Sequence, residues 1–158
     1  AGSLVSNAPT PASTKAPESS NQACTKSGIT LVIDFGDENK PVENYCVQNF
    51  SGSGWQLFEA AKVLVEGTAE YPQSFVCRIQ GVPAKQTEDC LSTPGFATGT
   101  WVYYIASSYS GDKNWARSAV GAAMRKPQCG DFDGWRFVRN YSDASASPRI
   151  VAKPFRCE

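Results

Sequence analysis

Ile29-Thr30-Leu31-Val32-Ile33-Asp34-Phe35, read with the turn Gly36-Asp37-Glu38-Asn39-Lys40-Pro41 and the return from Val42 to Gln48, decides the fold of this chain. The first segment alternates and is rich in β-branched residues, the pattern of a strand. The second is turn chemistry and the third resumes the strand pattern, so together they predict a β-hairpin. Ser51-Gly52-Ser53-Gly54 then breaks the chain, and Ser53 followed three residues later by Gln56 fits a capping box. Behind that cap, Leu57, Phe58, Ala61, Leu64 and Val65 recur at the helical period, which predicts a helix from about Gly54 to Glu66.

After the helix the period returns to two. Phe75, Cys77 and Ile79 share one face of a strand that ends at Gly81-Val82-Pro83. Residues 82–99, with Pro83, Pro94, Gly95 and Gly99, read as a long loop. Thr100 to Ala106 is a further strand, with Trp101, Tyr103 and Ile105 on one face and Val102 and Tyr104 on the other. Ser107 to Asn114 is a polar loop, and Trp115 to Lys126 reads as a short helix of small residues. Gly130-Asp131-Phe132-Asp133-Gly134 is a turn before a last strand from Trp135 to Arg139. One helix across a mixed sheet is an α+β domain, β-grasp-like.

Composition excludes more than it affirms. Of 158 residues 41% are hydrophobic, enough for one core. Lys plus Arg and Asp plus Glu number 15 each, so no basic excess points to nucleic acid. No apolar run approaches the ~18 residues of a membrane helix. The sequence has no His, which removes Ser-His-Asp and Cys-His catalysis and His-based metal sites. No metal, cofactor or catalytic residue is expected, and the chain reads as a non-enzyme.

Six cysteines, Cys24, Cys46, Cys77, Cys90, Cys129 and Cys157, lie far apart without a C-x-x-C pair. An even count at wide spacing is a disulfide framework, hence a secreted or cell-surface protein. Cys77 and Cys90 are the clearest pair, because the turn at Gly81-Val82-Pro83 folds their segment back. Such a loop contributes on the order of 3 kcal/mol by constraining the unfolded chain. Residues 1–23, almost all Ala, Ser, Thr, Pro and Asn, read as a disordered linker. No export signal opens the sequence, so a secreted chain is expected here in processed form. The domain is placed at 24–141, and 142–158 is an irregular C-terminal extension that a bridge at Cys157 would tie down.

Several motifs resolve into ordinary structure. Asp34-Phe35-Gly36 spells the kinase magnesium triplet without the rest of a kinase, and reads as a strand end before a turn. Asp131-Phe132-Asp133-Gly134 lacks the distal Glu of a calcium loop. Ser51-Gly52-Ser53-Gly54 lacks a P-loop lysine and reads as a helix cap. Asn49-Phe50-Ser51 and Asn140-Tyr141-Ser142 are glycosylation sequons that matter only in a eukaryotic secretory pathway. The acids Asp34, Asp37, Glu38 and Glu43 crowd the hairpin and read as solvated. The aromatic set Phe96, Trp101, Tyr103, Tyr104, Tyr109 and Trp115 carries the candidate binding surface, beside Gly- and Pro-rich loops that could form its rim. Sheet packing explains the same residues, and alternation puts some of them in the core.

The order of motifs resembles a known family. It runs from Thr30-Leu31-Val32-Ile33-Asp34-Phe35-Gly36-Asp37 through the capped helix to Phe75-Val76-Cys77-Arg78-Ile79-Gln80-Gly81-Val82-Pro83. Cys90-Leu91-Ser92-Thr93-Pro94, Trp101-Val102-Tyr103-Tyr104, Trp115, Gly121 and Gly134-Trp135-Arg136-Phe137 follow. Over about residues 28–138 this is similar to the transcobalamin C-terminal-like domain, in the version found on secreted actinobacterial proteins. The resemblance implies a β-grasp-like fold and a binding role, since in transcobalamin-type carriers the domain closes over cobalamin. It also implies ligand contacts near the aromatic set. A cobalamin-like or other small ligand is therefore one expectation, held without a protein imidazole on cobalt. A surface adhesion module for a protein or glycan is the other. In a β-grasp sheet the first and last strands run parallel, which suggests Cys24–Cys129 and leaves Cys46–Cys157.

Overall fold

The computed structural model describes residues 15–109, 114–140 and 146–157. In chain order these form β1 (Glu18–Ser20), β2 (Ile29–Asp34), β3 (Glu43–Gln48), α1 (Gly54–Ala60), β4 (Val65–Gly67), β5 (Val76–Ile79), β6 (Thr100–Ala106), β7 (Ala116–Arg117) and β8 (Phe132–Val138). A six-stranded sheet has the order β1-β3-β2-β8-β6-β7, and β4 and β5 make a separate two-stranded sheet. The central pair β2 and β8 is parallel, from Thr30 opposite Phe132 to Asp34 opposite Arg136, and the other neighbours are antiparallel. The fold is the expected α+β arrangement: a mixed sheet, one short helix and three disulfides.

Every residue of β2 is buried, which explains its nearly continuous apolar run. Ile29, Leu31, Ile33 and Phe35 point to the side of α1 and pack with Leu57, Phe58, Trp101, Tyr103, Trp135 and Phe137. Val32 points the other way, toward Phe132, Ala106 and Ala152. The sheet is thus covered by α1 on one face and by the C-terminal extension on the other.

The capping box forms as expected. Ser53 Oγ accepts from Gln56 N at 3.2 Å and Gln56 Oε1 accepts from Ser53 N at 2.9 Å. The helix is shorter than its apolar stripe predicts. Lys62 takes a left-handed φ of 61°, and Val63 N–H donates to Phe58 O at 2.9 Å. That reversal buries Val63 in place of the next helical turn and turns Leu64 outward, 74% exposed. Val65 and Glu66 belong to β4. The expected helix at Trp115–Lys126 is also absent. Ala116 and Arg117 pair with β6 as β7, and turns follow.

Two further boundaries move. The last strand starts at Phe132, because Phe132, Asp133 and Gly134 already alternate against β2 and β6. Gly134 is required there: a Cβ would lie 2.6 Å from the Trp115 ring. At the other end, Glu18–Ser20 pairs with Gln48–Cys46, so residues 18–20 of the expected disordered linker form an edge strand. The remainder of that linker up to residue 14 lies outside the described residues, as do Tyr141 and Ser142 of the second sequon.

The disulfides are Cys24–Cys46, Cys77–Cys90 and Cys129–Cys157. Cys77–Cys90 is the expected pair. Cys24–Cys129 and Cys46–Cys157 do not form. All of Cys24, Cys46 and Cys129 surround Gly28, whose φ is 97°. A Cβ on Gly28 would meet Cys24 Sγ at 2.8 Å and Cys46 Sγ at 3.1 Å, and its N–H donates to Cys129 Sγ at 3.2 Å. Each cysteine joins the strand or segment beside it instead of crossing to its parallel neighbour. Cys46 lies opposite Thr30 in the β2–β3 register, and Thr30 Oγ1 holds Cys24 N–H at 2.9 Å.

Candidate functional site

The aromatic set divides as alternation requires, and most of it is packed. Trp101 and Tyr103 lie in the α1-side core, with Tyr103 stacked on Trp135 at 4.3 Å between centroids. Tyr103 Oη also donates to the buried Asp133 carboxylate, which Arg125 Nε bonds at 3.1 Å. Burial, followed by the Asp133 charge, pushes the Tyr103 phenol far above its ordinary value. Tyr104 faces the opposite side and is also buried, packed with Val102, Val138, Phe96 and Trp115. Trp115 donates its indole N–H to Ile150 O at 2.8 Å and meets Phe132 edge-on. Tyr109 is exposed, with the Arg156 guanidinium over its ring at 4.8 Å. The six residues therefore present no common open face. Their second side is roofed by the extension.

The roof itself creates the most ligand-like hollow. Ala152 has a side chain small enough to lie flat on Val32, Ala106 and Phe132, which brings the extension down onto the sheet. Beside it, between the extension and the Cys24 corner, a cleft of about 420 Å³ remains. Phe132, Ile150, Val151 and Phe155 supply its apolar lining, and Asn44 and Lys153 its principal polar groups. A mostly apolar hollow of this size with a few placed polar groups is the usual form of a small-molecule site.

Both walls are tethered. The Cys24–Cys46 bridge holds the chain-entry wall to β3. Cys129–Cys157 and the bond from Phe155 N to Gly130 O, 3.2 Å, hold the far end of the extension. Its near end is held by Asp34. This fully buried carboxylate accepts from Arg149 N at 2.8 Å, Arg149 Nε at 2.9 Å, Arg136 Nη1 at 3.2 Å and Gly36 N at 2.8 Å. Burial by itself would raise the Asp34 carboxyl. The hydrogen bonds from Arg149 and Gly36 and the charge of Arg136 outweigh it and hold the group below its ordinary 3.8. Asp34, expected to be solvated with the other hairpin acids, is thus a buried latch. The sequence offers no local signal for it, because its charged partners lie more than a hundred positions away.

A second hollow surrounds the small sheet. It reaches about 640 Å³ between α1 and β4, and is lined by Glu59, Lys62 and Glu66 as well as Trp55 and Val63. Arg78 on β5 pairs with Glu66 and also donates to the carbonyls of Pro83 and Glu88, which ties down the Cys77–Cys90 loop. Leu64, which lines this hollow, and Leu91, which lines a neighbouring one with Glu66 and Arg78, stand exposed, at 74% and 62%. Among the described residues no group of His, Cys, Asp and Glu is placed to hold a metal ion, and no helix is long and apolar enough to cross a membrane. Comparison with protein-family models, with curated proteins and with solved structures finds no match to this chain.

Proposed function

We propose that this chain is a secreted or cell-surface, non-enzymatic binding domain that takes a small, largely apolar ligand in the cleft under its C-terminal extension. The observation that carries the reading is the cleft itself: largely apolar walls, a few polar groups (Thr25, Asn44 and Lys153), and tethers at both ends of the covering segment. The three disulfides support an oxidising compartment. The resemblance to transcobalamin C-terminal-like domains supports a ligand-carrying role. A whole corrinoid is much larger than this cleft, so a cobalamin-like ligand would enter by one edge or side group.

The second reading is an adhesion or interaction module for a protein or glycan. It is favoured by Leu64 and Leu91, both exposed and each lining a hollow that includes Glu66 of β4 and Arg78 of β5. One experiment separates the two: an amide-resolved NMR titration with cyanocobalamin and with small aromatic and branched-chain compounds. Shifts gathered at Thr25, Asn44 and Lys153 support the cleft. Silence there at millimolar concentrations overturns it.

A further inference from the structure

We infer that residues 149–154 are a lid over the apolar face of the sheet, hinged at Phe155 and Cys157 and latched by Arg149 on Asp34. The cleft reading above supplies only what the lid would admit. The lid itself rests on how unequally the two ends of this segment are held.

At the hinge the hold is covalent and close. Cys157 is bridged to Cys129, Phe155 N–H donates to Gly130 O at 3.2 Å, and a Cβ on Gly130 would lie 1.8 Å from Phe155 O. At the latch the hold is ionic and reaches water. Asp34 is fully buried, but the Arg149 side chain that bonds it is 35% exposed, and the charges of Asp37 and Glu38 also act on it. Between hinge and latch, the Trp115 indole N–H donates to Ile150 O at 2.8 Å, and Ala152 packs on Val32, Ala106 and Phe132. Val151 and Lys153 are exposed. A segment with so few buried contacts is the kind that opens ahead of its fold.

The spacing makes the latch decisive. Asp34 lies opposite Arg136 in the β2–β8 register, six positions beyond Gly130, and Arg149 and Phe155 are also six positions apart. Six extended residues span about 20 Å, so the closed segment is drawn nearly straight between its two anchors. Only release of an anchor gives it slack, and the anchor exposed to water is Arg149. That release uncovers Val32, Ala106 and Phe132, which lengthens the cleft into an apolar trough and admits a molecule larger than the closed volume of about 420 Å³.

Hydrogen exchange followed by NMR on the full chain tests the lid. The Trp115 indole N–H reports on the lid, the Phe155 N–H on the hinge and the β2 amides on the whole fold. In the parent protein, Trp115 exchange is expected to depend little on added denaturant, and β2 exchange to depend on it steeply. Arg149→Met is expected to speed Trp115 exchange about tenfold while Phe155 and β2 stay unchanged. Arg149→Lys, which keeps the charge but loses the fork, is expected to recover part of the protection. Trp115 exchange in the parent only through the opening that frees β2 overturns the lid without recourse to a variant. So does a Trp115 rate unmoved by Arg149→Met, or one that rises together with that of Phe155. Ligand shifts at Thr25, Asn44 and Lys153 would then leave the cleft reading standing. Local opening at Trp115 with no such shifts overturns the cleft reading and keeps the lid.

Discussion

The two faces of the six-stranded sheet are covered by different means. On the α1 face, Phe58 meets Trp55 and Trp135, Phe35 and Phe137 flank Trp101, and the large side chains fill the space between helix and strands. On the opposite face, an irregular segment is held at points: a disulfide at Cys157, an ion pair at Arg149, and backbone bonds at Ile150 and Phe155. A regular helix with an apolar stripe seals a sheet by shape. An extended segment has few side chains to offer per unit length, so point tethers keep it down and a hollow remains beside it. The face with the weaker packing is therefore the face that carries the candidate site.

Truncating the packed face should cost most. Phe58→Ala removes a fully buried ring and is expected to destabilise by about 3–5 kcal/mol in chemical denaturation. Removing the terminal bridge with Cys129→Ser and Cys157→Ser should cost about 2–4 kcal/mol. Its distinguishing sign is local: amide exchange accelerates across 146–157 while α1 stays protected. Fast exchange in both places would mean that the two faces are one cooperative unit.

Asp34→Asn should cost about 2 kcal/mol, below the full range for a broken buried pair because Arg149 is 35% exposed. The same latch has a pH signature. The folded Asp34 titrates below its ordinary 3.8, so its contribution is complete above that value and is lost as pH falls through the lower folded value. Thermal melts of parent and Asp34→Asn should therefore differ at neutral pH and converge in strong acid. A constant difference down to the lowest pH that supports folding would remove Asp34 as the latch. The smallest effect is expected at the helix cap. Ser53→Ala loses the bond to Gln56 N and should cost about 1 kcal/mol, with exchange of 146–157 unchanged.

Legibility in the sequence followed the range of the interactions. The β2–β3 hairpin, the Ser53–Gln56 cap and the Cys77–Cys90 bridge each depend on residues close in the chain, and each is where the pattern places it. The helix end is a local error with a tertiary cause: Leu64 continues the stripe, but burial of Val63 and the pairing of Val65 with Ile79 take the chain out of the helix. The aromatic set was visible as a cluster, and alternation put part of it in the core, yet the covering of its other face was not visible, because the segment that holds Trp115 beside Tyr104 lies far downstream. Asn44 and Lys153 gave no signal, since one is an ordinary strand residue and the other sits in an irregular tail.

By itself, the sequence determined the class of this protein: alternation and helical period dictate an α+β sheet domain, and six spread cysteines dictate a disulfide framework. Only the tertiary structure decided how Cys24, Cys46, Cys129 and Cys157 join, that Asp34 is buried, and that the extension roofs the sheet over a cleft. The reason is physical. Backbone preferences act through neighbours a few residues apart, whereas a disulfide, a buried ion pair and a hollow depend on which distant segments the sheet brings to one face.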